Sequence, residues 1–222
     1  MLFVIVPAYN EEKTIGDVLK GVFDTQISPI NVVVVDDGSS DNTAETAKSV
    51  GAIVLRHEVN RGQGAALQTG NEYALAHGAG AVVHFDADGQ FDAADIGGAL
   101  AAMQNKNADV ILGSRFLDSR SKIPWTKKYL ILPVSRFINR LFTGLKLTDA
   151  HNGFRILSRR ALEKINIAQD RMAHNSEIVR QLKEHNLSFA EHPVRVEYFE
   201  YGQGVGGGFK ILQDILAAKF LK

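Results

Sequence analysis

The chain has 222 residues and a formal net charge of zero, with Lys plus Arg and Asp plus Glu at 25 each, which removes any whole-chain electrostatic case for a nucleic-acid partner. It contains no cysteine, so disulfides, thiolate metal sites and thiol nucleophiles are excluded, and a reducing, cytoplasmic compartment fits. A composition of 45% apolar and 23% charged residues is that of a soluble globular chain, expected here as one α/β domain over 1–222.

Residues 2–6 are a continuous apolar run and predict a strand covered on both faces. No basic segment precedes them, and Pro7 follows too soon for a signal sequence. Ile15, Val18, Leu19, Val22 and Phe23 recur at helical spacing, with Asn10, Glu11 and Glu12 expected as an acidic first turn. A second strand over 32–35 ends in Asp36-Asp37-Gly38-Ser39, and a helix over 43–50 follows that Ser40 or Asp41 would cap. A third strand over 52–55 leads to the glycine-rich stretch 60–64, which opens a helix to Ala76. The fourth strand, 81–85, runs straight into Asp86-Ala87-Asp88-Gly89-Gln90. Beyond it come a strand over 110–112, a mixed segment to Leu147, an apolar run over 153–157, a helix around 176–184 and a strand within 187–196. No run reaches the roughly 18 apolar residues needed to cross a bilayer.

Strands and helices alternate through the first half, the pattern of a parallel sheet with helices on both faces. Ligands of such sheets lie beyond the carboxyl ends of the strands. The polar clusters after Val6, Val35 and Phe85 fall at those ends. Asp86 and Asp88 are two apart, so on an extended chain they point the same way. They could share a divalent cation that neutralises a diphosphate, with Gln90 adding an oxygen from the same face. A solvated turn with a capping aspartate is the other reading. Asp37 could accept a hydrogen bond from a base N–H or a ribose hydroxyl. The glycines of 60–64 could bring backbone N–H groups near phosphate, although the spacing is neither a dinucleotide fingerprint nor a P-loop.

Pro7-Ala8-Tyr9-Asn10-Glu11, Val35-Asp36-Asp37-Gly38-Ser39, Asn60-x-Gly62-x-Gly64-Ala65-Ala66 and Asp86-Ala87-Asp88-Gly89-Gln90 occur in this order. Gly113-Ser114-Arg115 and Asp149-x-x-Asn152-Gly153-Phe154-Arg155 follow. The ordered set resembles the family 2 inverting glycosyltransferases of the GT-A fold, and within them the dolichyl- or polyprenyl-phosphate sugar synthases. The resemblance covers essentially the whole chain and is more specific for the family than for the branch. It implies a mostly parallel sheet flanked by helices, with a nucleotide-sugar-binding half over 1–118 and an acceptor-side half over 119–222. Pro7, Ala8, Tyr9, Glu11 and Asp37 would then hold the nucleotide, and the Asp86-Ala87-Asp88 segment the donor diphosphate. Asp86, Asp88 and Gln90 would hold Mg2+ or Mn2+, and Arg115 would approach the phosphates. The implied reaction is in-line attack on the anomeric carbon of a hexose, with inversion and departure of GDP or UDP.

A hydroxyl acceptor needs a general base, whereas a phosphate acceptor is already an anion. Asp88 would be catalytic through the metal, and Asp149 and Glu177 are the candidate bases. The alternatives are an ion pair of Asp149 with Arg155 and a helix-start carboxylate at Glu177. His174 reads as a loop residue. No acid occurs from 119 to 148, whereas Arg120, Lys122, Lys127, Lys128, Arg136, Arg140 and Lys146 do. Leu130, Val134, Phe137, Ile138, Leu141 and Leu145 recur there at helical spacing, so this segment could lie on an anionic membrane or pack on the domain. A second apolar stripe runs through 209–222. Arg136 and Arg155 are the candidates for an acceptor phosphate. Many members of the branch continue into transmembrane helices; this sequence stops at Lys222, which points to a soluble or peripheral form, or to a truncated chain.

The preferred reading is metal-dependent transfer of a hexose to polyprenyl or dolichyl phosphate, at the cytoplasmic face of a membrane. A glycan or small-molecule hydroxyl is the alternative acceptor, and a non-catalytic nucleotide-sugar binding module is the alternative class. A sugar-1-phosphate nucleotidylyltransferase would carry a long glycine-rich loop after the first strand, and residues 7–11 offer none. The sequence sets neither the base, nor the sugar, nor the oligomeric state.

Overall fold

The apolar runs become strands and the amphipathic stripes become helices, in alternation. The computed structural model describes residues 1–121, 145–149 and 152–197. In chain order these form β1 (Leu2–Ala8), α1 (Ile15–Asp24), β2 (Ile30–Asp36), α2 (Thr43–Ser49), β3 (Ile53–Arg56), α3 (Gln63–Ala76) and β4 (Ala81–His84). Then come α4 (Asp95–Asn105), β5 (Val110–Ser114), β6 (Arg155–Ser158), α5 (Arg159–Leu162), α6 (His174–Glu184) and β7 (Phe189–Pro193). The strands make one 7-stranded sheet in the order β3-β2-β1-β4-β6-β5-β7. β6 pairs antiparallel with both β4 and β5, and every other pairing is parallel.

The alternation of side chains along β1 divides the core in two. Val4 and Val6 join Val32, Val34 and Val83 against α1, α2 and α4, where Ile15, Leu19, Ala47, Ile96 and Ala99 are buried. Phe3 and Ile5 join Val33, Val35 and Val82 on the opposite face, against Leu67 of α3, Leu162 of α5 and Ile178 and Leu182 of α6. Strands covered on both faces read as unbroken apolar runs, and each such valine or isoleucine contributes about 1.5–3 kcal/mol by leaving water. α3 approaches β1 closely: a Cβ on Gly70 would collide with the Ile5 side chain. Gly70 thus lets the helix lie low on the sheet.

Two expectations change, and one helix has no counterpart among them. The first turn of α1 is not Asn10–Glu12; the helix begins after Thr14 and its first-turn acid is Asp17. α4 fills the long gap after Gln90, and its apolar stripe is thinned by Gly97 and Gly98. His174 is the first residue of a helix, not of a loop. No described helix is long and apolar enough to cross a membrane. The basic segment with Arg136, the 202–208 glycine run and the 209–222 stripe lie outside the described residues, apart from the ends of the basic segment.

Candidate active site

The exits of β1, β2, β4 and β5 lie on one edge of the sheet, and the reversal of β6 brings its entrance to the same edge. Pro7 and Ala8 complete β1 opposite Val35 and Asp36. Asn10, at φ 56, turns the chain away. The two loops beyond are laced together: the Asn10 N–H donates to Ser39 Oγ at 2.9 Å, Glu11 N–H to Thr43 Oγ1 at 2.8 Å, and Ser40 N–H to Asn10 Oδ1 at 2.9 Å. The N-cap of α2 is Asn42 rather than Ser40 or Asp41, with no side-chain cap bond of its own, although Asp41 Oδ1 accepts the Thr43 N–H at 3.1 Å. Tyr9, between β1 and these laced loops, is 48% exposed, and a planar base could stack on its ring.

Asp37 lies in the second of these loops. Its Oδ1 accepts from His57 Nδ1 at 2.7 Å and Arg61 N at 2.9 Å, and its Oδ2 accepts from Gly62 N at 2.6 Å. The carboxylate therefore anchors the 57–62 turn, and a nucleotide contact through it would share oxygens with three protein donors. The glycine-rich stretch differs from expectation for a related reason. Its N–H groups are already used: those of Arg61 and Gly62 by Asp37, and that of Gly64 by Asp170 O at 2.8 Å. Its glycines permit close approach of the 169–170 backbone, which a Cβ on Gly62 or Gly64 would strike. No N–H remains at Arg61, Gly62 or Gly64 to cradle phosphate.

β4 ends at His84, so residues 86–90 form a turn and not the extended strand on which the shared-face argument rested. The turn is fixed at both ends. Asp88 Oδ1 accepts the Gln90 N–H at 3.0 Å, Gly89 adopts φ 76, and Gln63 Nε2 donates to Asp86 Oδ1 at 2.7 Å. Burial, reinforced by the Asp88 charge, pushes the Asp86 carboxyl up to about 7. Burial raises Asp88 as well. Glu11 adds to the negative potential at Asp86. Beside Asp88 opens a groove of about 880 Å³ lined by Glu11, Val18, Gly21, Gln90 and Phe91 among others.

Among the described residues no group of three or more His, Asp or Glu side chains is placed to hold a metal by itself. Two carboxylates that resist ionisation together are nevertheless a suitable donor set for Mg2+ or Mn2+, which commonly take one or two carboxylates and complete their shell with water and substrate phosphate. The residues present therefore fit a divalent cation bound together with a diphosphate.

Asp149 pairs with Arg115, not with Arg155. Arg115 Nε reaches its Oδ2 at 2.6 Å and Nη2 its Oδ1 at 2.7 Å, and the Arg115 N–H adds a third bond at 3.1 Å. These bonds outweigh burial and hold the carboxyl below the usual range. Arg155 is 1% exposed and does not face an acceptor, contrary to expectation. It donates to Asn175 Oδ1, its Nη1 has no hydrogen-bond partner among the described residues, and it is attracted to both Asp86 and Asp149. Burial pulls its guanidinium down to about 10. Burial, assisted by the Arg155 charge, keeps His84 well below its ordinary range and brings His174 to about 4. Glu177 Oε2 accepts the N–H groups of Ala168 and Gln169 at 3.1 and 2.9 Å, so it tethers the 168–169 loop. Sequence reasoning missed Gln63 and Glu191. The latter accepts from Thr148 N at 2.7 Å and Asp149 N at 3.3 Å and so seats Asp149. Each acts from a distant segment, and no local pattern marks it.

A mostly parallel seven-stranded sheet with one reversed strand, and an acidic turn at the exit of β4, are the arrangement of the GT-A fold. The solved structure of glucosyl-3-phosphoglycerate synthase from Mycobacterium tuberculosis, bound to Mn2+, UDP and glucosyl-3-phosphoglycerate, superposes with a TM-score of 0.74. That match covers 98% of this chain and 79% of that one, at 17% identity, so it is the fold that is shared. Residues 3–166 match the family described as Glycosyl transferase family 2, and the chain belongs to that family. Among its relatives, the uncharacterized protein MJ1222 of Methanocaldococcus jannaschii is 38% identical over 98% of this chain and 92% of its own length. The UDP-N-acetylglucosamine–dolichyl-phosphate N-acetylglucosaminyltransferase of Methanococcus voltae is 33% identical over 100% of this chain and 97% of its own. The polyprenol monophosphomannose synthase of Mycolicibacterium smegmatis is 28% identical over 74% and 64% respectively.

Proposed function

We propose that the protein transfers a hexosyl unit from a UDP- or GDP-linked donor to a polyprenyl or dolichyl phosphate, with Mg2+ or Mn2+ bound at Asp86 and Asp88. Pro7, Ala8, Tyr9 and Glu11 form the rim that receives the nucleoside, and Asp37 keeps that rim in shape. When bound, the cation neutralises the diphosphate that leaves. Asp86 and Asp88 orient it, Ala87 and Gln90 line the same turn, and the Arg115–Asp149 pair faces it from the exit of β5. An oxygen of the acceptor phosphate forms the new bond to the anomeric carbon as the bond to the diphosphate breaks, inverting that centre.

The observation that carries the choice of acceptor is the state of Asp149. A carboxyl held by a two-point arginine pair below its ordinary range is a poor general base, and Glu177 is bonded to the backbone of 168–169. With both sequence-derived bases committed, an acceptor that is already an anion suits the site better than a hydroxyl. One relative that by name transfers to dolichyl phosphate, and another that by name makes polyprenol monophosphomannose, support the same acceptor class. The division into a donor half over 1–118 and an acceptor half over 119–222 belongs to this proposal, as does contact of the second half with the cytoplasmic face of a membrane. Arg136 remains a candidate for the acceptor phosphate. Assay with polyprenyl phosphate and with hydroxyl acceptors such as free sugars separates the readings: transfer to the phosphate is expected, and transfer to hydroxyls alone would overturn the choice.

A further inference from the structure

Gly153 stands against the acidic turn from the entrance of β6. A Cβ built there would lie 2.5 Å from Asp86 Oδ2, 3.1 Å from its Cγ and 3.2 Å from its Oδ1. All three atoms belong to one carboxylate, and no backbone atom is among them. The φ of Gly153 also lies outside the left-handed region, so the backbone itself does not call for glycine. The next residue, Phe154, is fully buried and meets both ends of the same turn. Its ring sits edge-on to Phe85 at 6.3 Å and to Phe91 at 5.9 Å, and Phe85 and Phe91 are 5.7 Å apart. Asn152 fixes the approach, with its Oδ1 accepting the Phe154 N–H at 2.9 Å.

We infer that Gly153 is a positioning residue for the metal-binding turn: its missing side chain sets where the Asp86 carboxylate sits, while Phe154 clamps the two ends of the turn. This rests on the metal reading proposed above. Any side chain at 153 would drive the Asp86 carboxylate off its place beside Gln63, and because that carboxylate can rotate, the fold would yield little.

The test is Gly153→Ala, read by Mn2+ titration of the full chain with UDP present, alongside thermal unfolding in chelator. Mn2+ affinity is expected to fall by about tenfold or more, as for other residues that orient a ligand from behind, with little change in the metal-free unfolding midpoint. Unchanged Mn2+ affinity in Gly153→Ala would overturn the inference. If the parent protein itself binds no Mn2+, it is the metal reading that fails. Should Gly153→Ala not fold, the double variant Asp86→Ala/Gly153→Ala decides. Recovery of folding shows that the carboxylate was the obstacle, whereas continued failure shows that the backbone needs glycine and removes the inference.

Discussion

Asp86 and Asp88 lie in one partly buried turn, where burial raises both carboxyls and the Asp88 charge raises Asp86 further. If the proposed metal site is right, Asp88→Ala is expected to lower turnover at saturating Mn2+ by at least about 100-fold, because it would remove half of the charge that holds the cation at the leaving diphosphate. Steady-state kinetics over a Mn2+ series checks this. Protons compete for the same carboxylates. With Asp86 near 7, Mn2+ affinity should decline as pH falls below about 7, approaching about tenfold per unit, which calorimetric titration between pH 6 and 8 would show. The stability effect has the opposite sense. A folded-state value above the ordinary 3.8 stabilises the metal-free fold at low pH, and that stability is lost as pH rises through about 7. Metal-free Asp86→Asn should therefore be more stable than the parent above pH 7, by roughly 1–3 kcal/mol in urea unfolding. Equal stabilities there would contradict the burial of this charge.

The glycine-rich entry to α3 shows how an element can be read correctly and its purpose missed. The helix from 63 to 76 is visible in the sequence, but the role of its glycines depends on the 169–170 backbone, about a hundred residues away. Gly64→Ala would set a Cβ against the Gln169 carbonyl, a backbone atom that cannot rotate aside. It is expected to destabilise the fold by about 1–3 kcal/mol or more, seen as a lower thermal midpoint with or without metal. β1, β2, β4 and β5 were legible because strands buried on both faces are unbroken apolar runs. α4 was not, because Gly97 and Gly98 interrupt its apolar face. The direction of β6 was not legible either. A four-residue strand reads the same whichever way it pairs, yet its reversal is what carries Asn152, Gly153 and Arg155 to the site edge. The acidic pair was visible; the contacts of Gln63 and Gly153 with Asp86 were not, since nothing near either residue in sequence refers to residue 86.

At the scale of the molecule, the site edge rests on a buried polar layer between β4, β6 and α6. His84 bonds Asn71, Arg155 bonds Asn175, and His174 bonds the Arg171 carbonyl. Both histidines are depressed below the ordinary 6.5, so the stability they contribute is present above that pH and is lost as pH falls through their folded values, His174 near 4. Asp86 opposes this in the same window, gaining a proton in the folded state. Metal-free Asp86→Asn, lacking the opposing group, should therefore lose stability more steeply than the parent between about pH 6.5 and 4. A flat profile in that variant would show that the layer is not desolvated as described.

Lipid-phosphate glycosylation at the Asp86–Asp88 turn, as proposed, is tested most directly by measuring transfer itself. Purified protein is incubated with Mn2+, dolichyl or polyprenyl phosphate in detergent, and UDP- or GDP-linked sugars, and the glycolipid and released nucleotide are quantified together. Equimolar glycolipid and nucleoside diphosphate are expected of the proposed reaction with at least one donor, abolished by chelator and by Asp88→Ala. Transfer that persists undiminished in chelator, or turnover of a sugar donor only onto hydroxyl acceptors, would contradict it.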